Sequence, residues 1–462
     1  MRDLEGVERI HLMGLGGAGM SSLAKLFLEM GATVSGCDLT RSHHIDELDA
    51  LGAEHVLGHS KDHLDRFAPQ LMVYSSAIDT GCDELVSARA RGIRTVRRGE
   101  ALSWLFDAAD GVGVAGTHGK TTTSSMIGLI LSRAGLSPTL YVGAEMRDLG
   151  TSAIVGEGRL FVSELDESDG SFELFHPALA VVTNVDHDHV DRFASKEDVV
   201  DAFVRFAAGR KLEAPLVVCG EDDGAQRMLQ ALARRDDARP VVRYGWGRGW
   251  EWGAFDLEPR HGGGIGCTVC RGGENVGRLE LAVSGEHNVL NALAALAASS
   301  EVGVSFHDAA ETLRSFHGAE RRLQVKGERD GVLTIDDYAH HPAEVAATLS
   351  AVRGIWPDRR ILLVFQPHRY SRTAMFTTAL ASALGAADEV LLLPIYSAGE
   401  QALSISSEDI ADEIRAAGGS CIPCVDEGEA LDIISARARE GDVLLTMGAG
   451  DVFRLADAFL SS

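Results

Sequence analysis

Positive charge is in short supply: 43 Lys and Arg stand against 68 Asp and Glu, a formal net charge of −25. A surface of that sign repels phosphate backbones and anionic lipid, so neither nucleic acid nor membrane insertion is expected, and any bound anion must be held by a local exception. No apolar run approaches the ~18 residues of a spanning helix. Residues 1–14 carry acids where a secretory leader needs bases, so a cytoplasmic chain is expected. Cysteine is scarce and odd in number, at seven, which excludes a disulfide framework. Two Cys-x-x-Cys pairs occur, Cys267/Cys270 and Cys421/Cys424. They fall in different predicted domains, the first in a Gly-rich stretch leading to a strand and the second without a strand-to-helix redox setting, and they read as ordinary buried or loop thiols. No repeat or low-complexity tract is present.

What the sequence does hold is core. Apolar residues make up 45% and charged residues 24% of 462, a globular composition long enough for about three domains at roughly 100–200 residues each. Short β-branched runs alternate with longer helical stretches, the pattern of parallel α/β architecture. Three such blocks are expected, at 1–107, 108–318 and 319–462. The first opens with a strand at 8–13, a glycine turn, a helix over 20–30 and a strand at 33–37, and continues through a strand at 71–74. The second has strands at 111–115, 160–163, 180–183 and 216–219, an irregular or antiparallel segment at 244–273 and a helix over 288–298. The third has strands at 333–335, 361–365, 390–393 and 443–446.

Several polar motifs sit where these strands end. Gly14, Gly16 and Gly19 space a GxGxxG turn between strand and helix, with Asp38 closing the next strand. Such a turn lets backbone N–H groups meet a diphosphate, and a dinucleotide, a UDP-sugar and a purely structural turn all remain open. The run Gly116, Thr117, His118, Gly119, Lys120, Thr121, Thr122 leaves a buried strand and enters a helix. Its amides suit phosphates, Lys120 the β- and γ-phosphates and the Thr121 hydroxyl a Mg²⁺ ion, although two residues separate the glycines where a Walker loop has four. Glu164, Asp166, Glu167 and Asp169 follow one strand, and Asp186, His187, Asp188 and His189 the next. Successive strand ends bearing acids and imidazoles suit metal ions shared with phosphates, with Glu164 and His189 as the candidate ligands. Asn288 is read either as a helix cap or as an amide for a base edge. The remaining clusters, Arg321-Arg322, the 336–342 stretch and the 366–372 stretch, place Arg369 and Arg372 at a strand edge of an acidic chain, suited to a carboxylate or phosphate.

Taken in order, GLGGAGMS, GTHGKTTT, ELDESDGSF, TNVDHDH, GEHNVLNALAA, DDYAHHP, QPHRYSRT and MGAGD cover essentially the whole chain and closely resemble the Mur ligases, the ATP-dependent ligases of peptidoglycan precursor synthesis. The resemblance implies a Rossmann-like N-terminal domain for a UDP-sugar, a central P-loop-type ATPase domain with a mostly parallel sheet, and a Rossmann-like C-terminal domain that closes over the site. DDYAHHP and QPHRYSRT are most similar to the member that joins L-alanine to the lactyl carboxylate of UDP-N-acetylmuramate through an acyl phosphate, as a monomer or homodimer. The alternatives are the recycling ligase, which attaches a tripeptide to the same sugar, and a non-catalytic sensor of both nucleotides. By resemblance Gly14, Gly16, Gly17, Ala18, Gly19, Met20, Asp38, Ser75 and Ser76 meet the UDP-sugar. Residues 116–122, Asn288, Asn291, Arg322, Asp337 and Tyr338 meet ATP. Thr121, Glu164 and His189 hold two Mg²⁺ ions, and Lys120, His189, His340, Arg369 and Arg372 carry the chemistry.

Overall fold

The computed structural model describes residues 4–188, 192–260 and 264–461. They form three α/β layers, each built on its own sheet. The first sheet is wholly parallel, in the spatial order Glu54–Leu57, Thr33–Asp38, Arg9–Met13, Leu71–Tyr74, Arg94–Arg97. The central strand alternates Ile10 and Leu12 toward one apolar face with His11 and Met13 toward the other, the period-2 pattern of a pleated strand.

The second sheet has ten strands. Asp110–Ala115 lies between Leu179–Val182 and Leu160–Glu164, parallel to both. The chain leaves this strand for the helix Lys120–Arg133, so the loop between them stands where the strand order reverses, the crevice in which open parallel sheets take ligands. Behind it runs Glu286–Glu301, buried on nearly every side and packed on Lys120–Arg133, which is why its sequence is alanine and leucine with almost no polar stripe. The third sheet orders Gln324–Arg329, Val332–Asp337, Val443–Met447, Ile361–Phe365, Glu389–Leu392, Cys421–Pro423, and only its first pair is antiparallel.

Two expectations about helix starts are corrected, and a third, about 244–273, is narrowed. The first helix is Ala18–Glu29, because Gly17 in extended conformation precedes it and residues 18–19 already turn. For the described residues of 244–273 the antiparallel reading holds in part and the irregular one does not: Val241–Trp246 pairs in parallel with Trp252–Pro259, which pairs antiparallel with Ile265–Arg271. Cys267 and Cys270 therefore lie inside a strand, and they are buried, free thiols like Cys421 and Cys424. Asn288 is no cap. The helix starts at Glu286 after Gly285, and the Asn288 amide donates to the Ser284 carbonyl at 2.7 Å.

The chain passes from second to third sheet through residues 318–323. On one side Ala319 bridges Met146, and Glu320 N donates to Glu145 O at 3.0 Å. On the other, Arg321 O accepts from Tyr338 N, and the Arg321 guanidinium reaches Asp336 and the carbonyls of Gly448 and Gly450.

Candidate nucleotide and ligation site

The 116–119 loop is shaped by its glycines. Gly119 precedes the helix Lys120–Arg133 at φ +80, and a Cβ there would stand 2.5 Å from Asn291 Oδ1. A Cβ on Gly116, at φ +140, would overlap the Thr183 hydroxyl. Asn184 staples the loop from the neighbouring strand end: its Oδ1 accepts from His118 N at 2.7 Å and its Nδ2 donates to His118 O at 2.9 Å. Thr183 Oγ1 donates to the same carbonyl.

Lys120 turns back into this loop. Its ammonium donates to Gly116 O at 2.6 Å and to Glu167 Oε2 at 2.8 Å. Burial works against its charge, yet Glu167, Asp166 and Glu164 outweigh burial and hold it protonated well above the ordinary lysine range. Beside it, Thr121 Oγ1 donates to Glu164 Oε2 at 2.8 Å, and the same oxygen accepts from Gly143 N at 3.0 Å. Two oxygen donors expected to share a hard cation thus come within hydrogen-bonding distance at the loop. His189 lies outside the described residues. His118, Asp186 and His341 form a second group whose donor atoms lie within 4.8 Å of one another.

A cavity of about 340 Å³ opens beside the loop, between the second and third sheets. Asn288, Asn291, Arg322 and Asp337 line it, together with His118 and Gly119. Burial pushes the Asp337 carboxyl up to about 6, against Arg322 and the amides of Ala339 and Leu323. Tyr338 adjoins the cavity's basic edge, its ring 5.2 Å from the Arg322 guanidinium carbon.

The third sheet reaches across at two points. His118 Nδ1 lies 3.0 Å from Glu344 Oε1. Arg372 clasps Asp188, with Nε to Oδ1 at 3.0 Å and Nη2 to Oδ2 at 3.1 Å, and both side chains are buried. His340 sits by this clasp, Nδ1 3.0 Å from Tyr338 O, and burial pulls it down to about 4. Arg369, at φ +67 before the helix Tyr370–Leu384, has Nη1 4.0 Å from Glu400 Oε1.

The first sheet's glycine turn faces the middle sheet. Asp38 Oδ2 accepts from Gly16 N at 2.8 Å, so this carboxylate braces the turn. Ser75 donates its N–H to Met13 O, and its Cβ stands 3.0 Å from where one on Gly14 would be. Tyr141 of the middle sheet donates to Gly19 O at 2.9 Å and accepts from Arg98 at 3.1 Å.

The UDP-N-acetylmuramate–L-alanine ligase of Desulfosudis oleivorans is 38% identical to this chain over 458 residues, covering 98% of each. The chain belongs to the Mur ligase family. Family models for the Mur ligase catalytic, middle and glutamate ligase domains match residues 9–109, 114–299 and 321–450. Among solved structures, the UDP-N-acetylmuramate-alanine ligase of Thermotoga maritima matches with a TM-score of 0.83 at 27% identity, covering 98% of both chains. The murein peptide ligase of Psychrobacter arcticus matches at 0.74 and 25%, also over 98% of both.

Within this Mur ligase, the structure brings together Lys120, Thr121, Glu164, His118, Asn288, Asn291, Arg322 and Asp337 around one cavity and loop. The glycine turn with Asp38 and Ser75 forms a separate locus joined through Tyr141. Sequence reading passed over Glu344, Asn184, Asp188 and Glu167 as site residues. Three of them stood inside quoted motifs, and Glu344 carried its own signal three residues after His341, the spacing of the capping box it forms.

Proposed function

We propose that this Mur ligase joins L-alanine to the lactyl carboxylate of UDP-N-acetylmuramate with cleavage of ATP to ADP and phosphate. The observation that supports it most is the meeting of a glycine phosphate loop bearing a charged Lys120, a Thr121–Glu164 oxygen pair and a base-sized cavity with cationic groups of the third sheet. The relatives' names supply the two substrates.

In this reading residues 1–107 take the UDP-sugar, its diphosphate on the turn of Gly14, Gly16, Gly17, Ala18, Gly19 and Met20, with Ser75 and Ser76 at the adjoining strand end. ATP lies with its base in the cavity near Asn288, Asn291 and Tyr338 and its phosphates on the 116–122 amides. A carboxylate oxygen attacks the γ-phosphorus, the bond to ADP breaks, and an acyl phosphate forms. The L-alanine amine then attacks the carbonyl carbon, and phosphate leaves as the amide forms. The first step brings two anions together, so Lys120 neutralises developing charge and positions the triphosphate without covalent chemistry. Thr121 and Glu164 fit a Mg²⁺ ion by their hard oxygens and spacing, and such an ion supplies further neutralisation of the phosphates. His189 is assigned to a second ion. His340, tied at Nδ1 to the Tyr338 carbonyl and kept uncharged by burial, offers Nε2 to the incoming amine. Arg369 and Arg372 of the third sheet orient the carboxylates.

The test is phosphate release with each substrate omitted in turn. Release is expected only with UDP-N-acetylmuramate, L-alanine, ATP and Mg²⁺ together, and an equal rate without L-alanine would sink the proposal. Supplying the tripeptide in place of L-alanine separates this activity from that of the recycling ligase.

A further inference from the structure

On a different sheet from the phosphate loop, the second face of the first sheet holds a buried group of another character. His11 of the strand Arg9–Met13, Cys37 of Thr33–Asp38, His63 of the helix His63–Phe67 and Glu84 of the helix Asp83–Ala90 direct one donor atom each to a common point, all within 4.8 Å of one another. His11 Nε2 and His63 Nδ1 each lie 3.1 Å from Glu84 Oε1, and Cys37 Sγ lies 3.6 Å from Glu84 Oε2. The His11, Cys37 and Glu84 side chains are excluded from solvent, and Met13, Met72 and Leu85 pack in the same apolar face. Glu84 Oε2 also accepts from Ser60 N at 2.9 Å and lies 4.0 Å from His59 Nδ1, and among the described residues no lysine or arginine pairs with this buried carboxylate.

We propose that these four residues form a structural zinc site. A tetrahedral zinc ion with bonds of about 2.0–2.3 Å spaces its ligands by about 3.3–3.8 Å; each imidazole nitrogen stands 3.1 Å from Glu84 Oε1, close to that edge length, the thiol stands 3.6 Å from Oε2, and the four donor atoms of the group all lie within 4.8 Å of one another. The mixture of imidazole, thiolate and carboxylate suits zinc and not the hard cations of a nucleotide site. Charge balances: binding releases the Cys37 thiol proton, so thiolate and carboxylate neutralise the ion's two positive charges in a dry surround. The outer contacts are in place as well. His11 Nδ1 lies 2.9 Å from Ser35 Oγ, which holds the ring with Nε2 toward Glu84, and His59 Nδ1 lies 3.0 Å from Cys37 Sγ, within reach to donate to a thiolate there. The ion would tie two strands to two helices, and Cys37 O also accepts from Gly14 N and Leu15 N, so the site lies directly behind the glycine turn.

The test uses the full chain, stripped with a chelator and titrated with Co²⁺ in the absence of nucleotide and Mg²⁺. One tight equivalent is expected, with the strong visible absorption of tetrahedral Co²⁺ and a near-ultraviolet thiolate-to-metal band, both abolished by added Zn²⁺. Cys37→Ser should remove the thiolate band. Ser35→Ala, which keeps all four ligands, should keep both bands and weaken affinity by ~10–100-fold with unchanged circular dichroism. Absence of stoichiometric binding, or an unaltered thiolate band in Cys37→Ser, overturns the site and leaves a hydrogen-bonded core network.

Discussion

At the scale of single residues, the loop lysine is the most consequential side chain. Lys120 is held between loop carbonyls and Glu167, and the surrounding carboxylates keep it charged throughout the working pH range. Lys120→Ala is expected to lower turnover by at least ~10²–10³, the amount lost with one strong transition-state donor, as measured by steady-state phosphate release. Thr121 offers a finer comparison. Thr121→Ser keeps the hydroxyl that meets Glu164 and should retain Mg²⁺-dependent activity, whereas Thr121→Ala should raise the Mg²⁺ concentration needed for half-maximal rate. These residues were legible because the chemistry of phosphate binding confines them to a strand-to-helix loop with fixed glycines. Glu167 and Asn184 were harder to read, because their roles depend on contacts across 47 and 66 residues of chain.

Among the elements, the helix Pro342–Ile355 joins fold and site most directly. His341 precedes it, its ring accepting from Ala343 N, and Glu344 completes the capping box while also meeting His118 of the phosphate loop. His118 is raised above its ordinary 6.5: burial opposes, but Glu344 prevails, so its share of the contact is full below that value and fades as pH climbs through the raised one. Burial would raise Glu344, but His340, His118 and Arg322 draw it well below 4.5, so its share is lost only in strong acid. The contact is therefore firmest between about 4.5 and 6.5. Small-angle scattering of the nucleotide-free chain should show a radius of gyration that holds steady up to about pH 6.5 and grows as pH climbs through the raised His118 value, and His118→Asn should flatten that profile. The strands around this helix were readable from their apolar runs, and 361–365 matches residue for residue. Helix starts were less so. Gly285 and not Asn288 begins Glu286–Glu301, because the first-turn asparagine is committed to the Ser284 carbonyl, a choice that periodicity does not encode.

For the whole molecule, the Arg372–Asp188 clasp is a buried, two-bonded link between the second and third sheets. Removing one partner of such a buried pair costs about 3–5 kcal/mol, since the other is left charged and dry. Asp188→Ala should therefore speed proteolytic cutting at residues 318–323 in the nucleotide-free protein, with cutting elsewhere unchanged, and cutting at the parental rate would count against the clasp. Sequence order could not pair these residues, which stand 184 positions apart. The crossing itself also constrains how that cleft opens. One edge of the middle sheet grips the chain as far as Glu320, and the third sheet takes hold from Arg321, whose φ of +56 already strains a residue with a side chain. A door hung on one pin swings but does not slide: were the His118–Glu344 and Arg372–Asp188 contacts released, the third layer would turn about the 320–321 peptide, which a different sheet holds on each side.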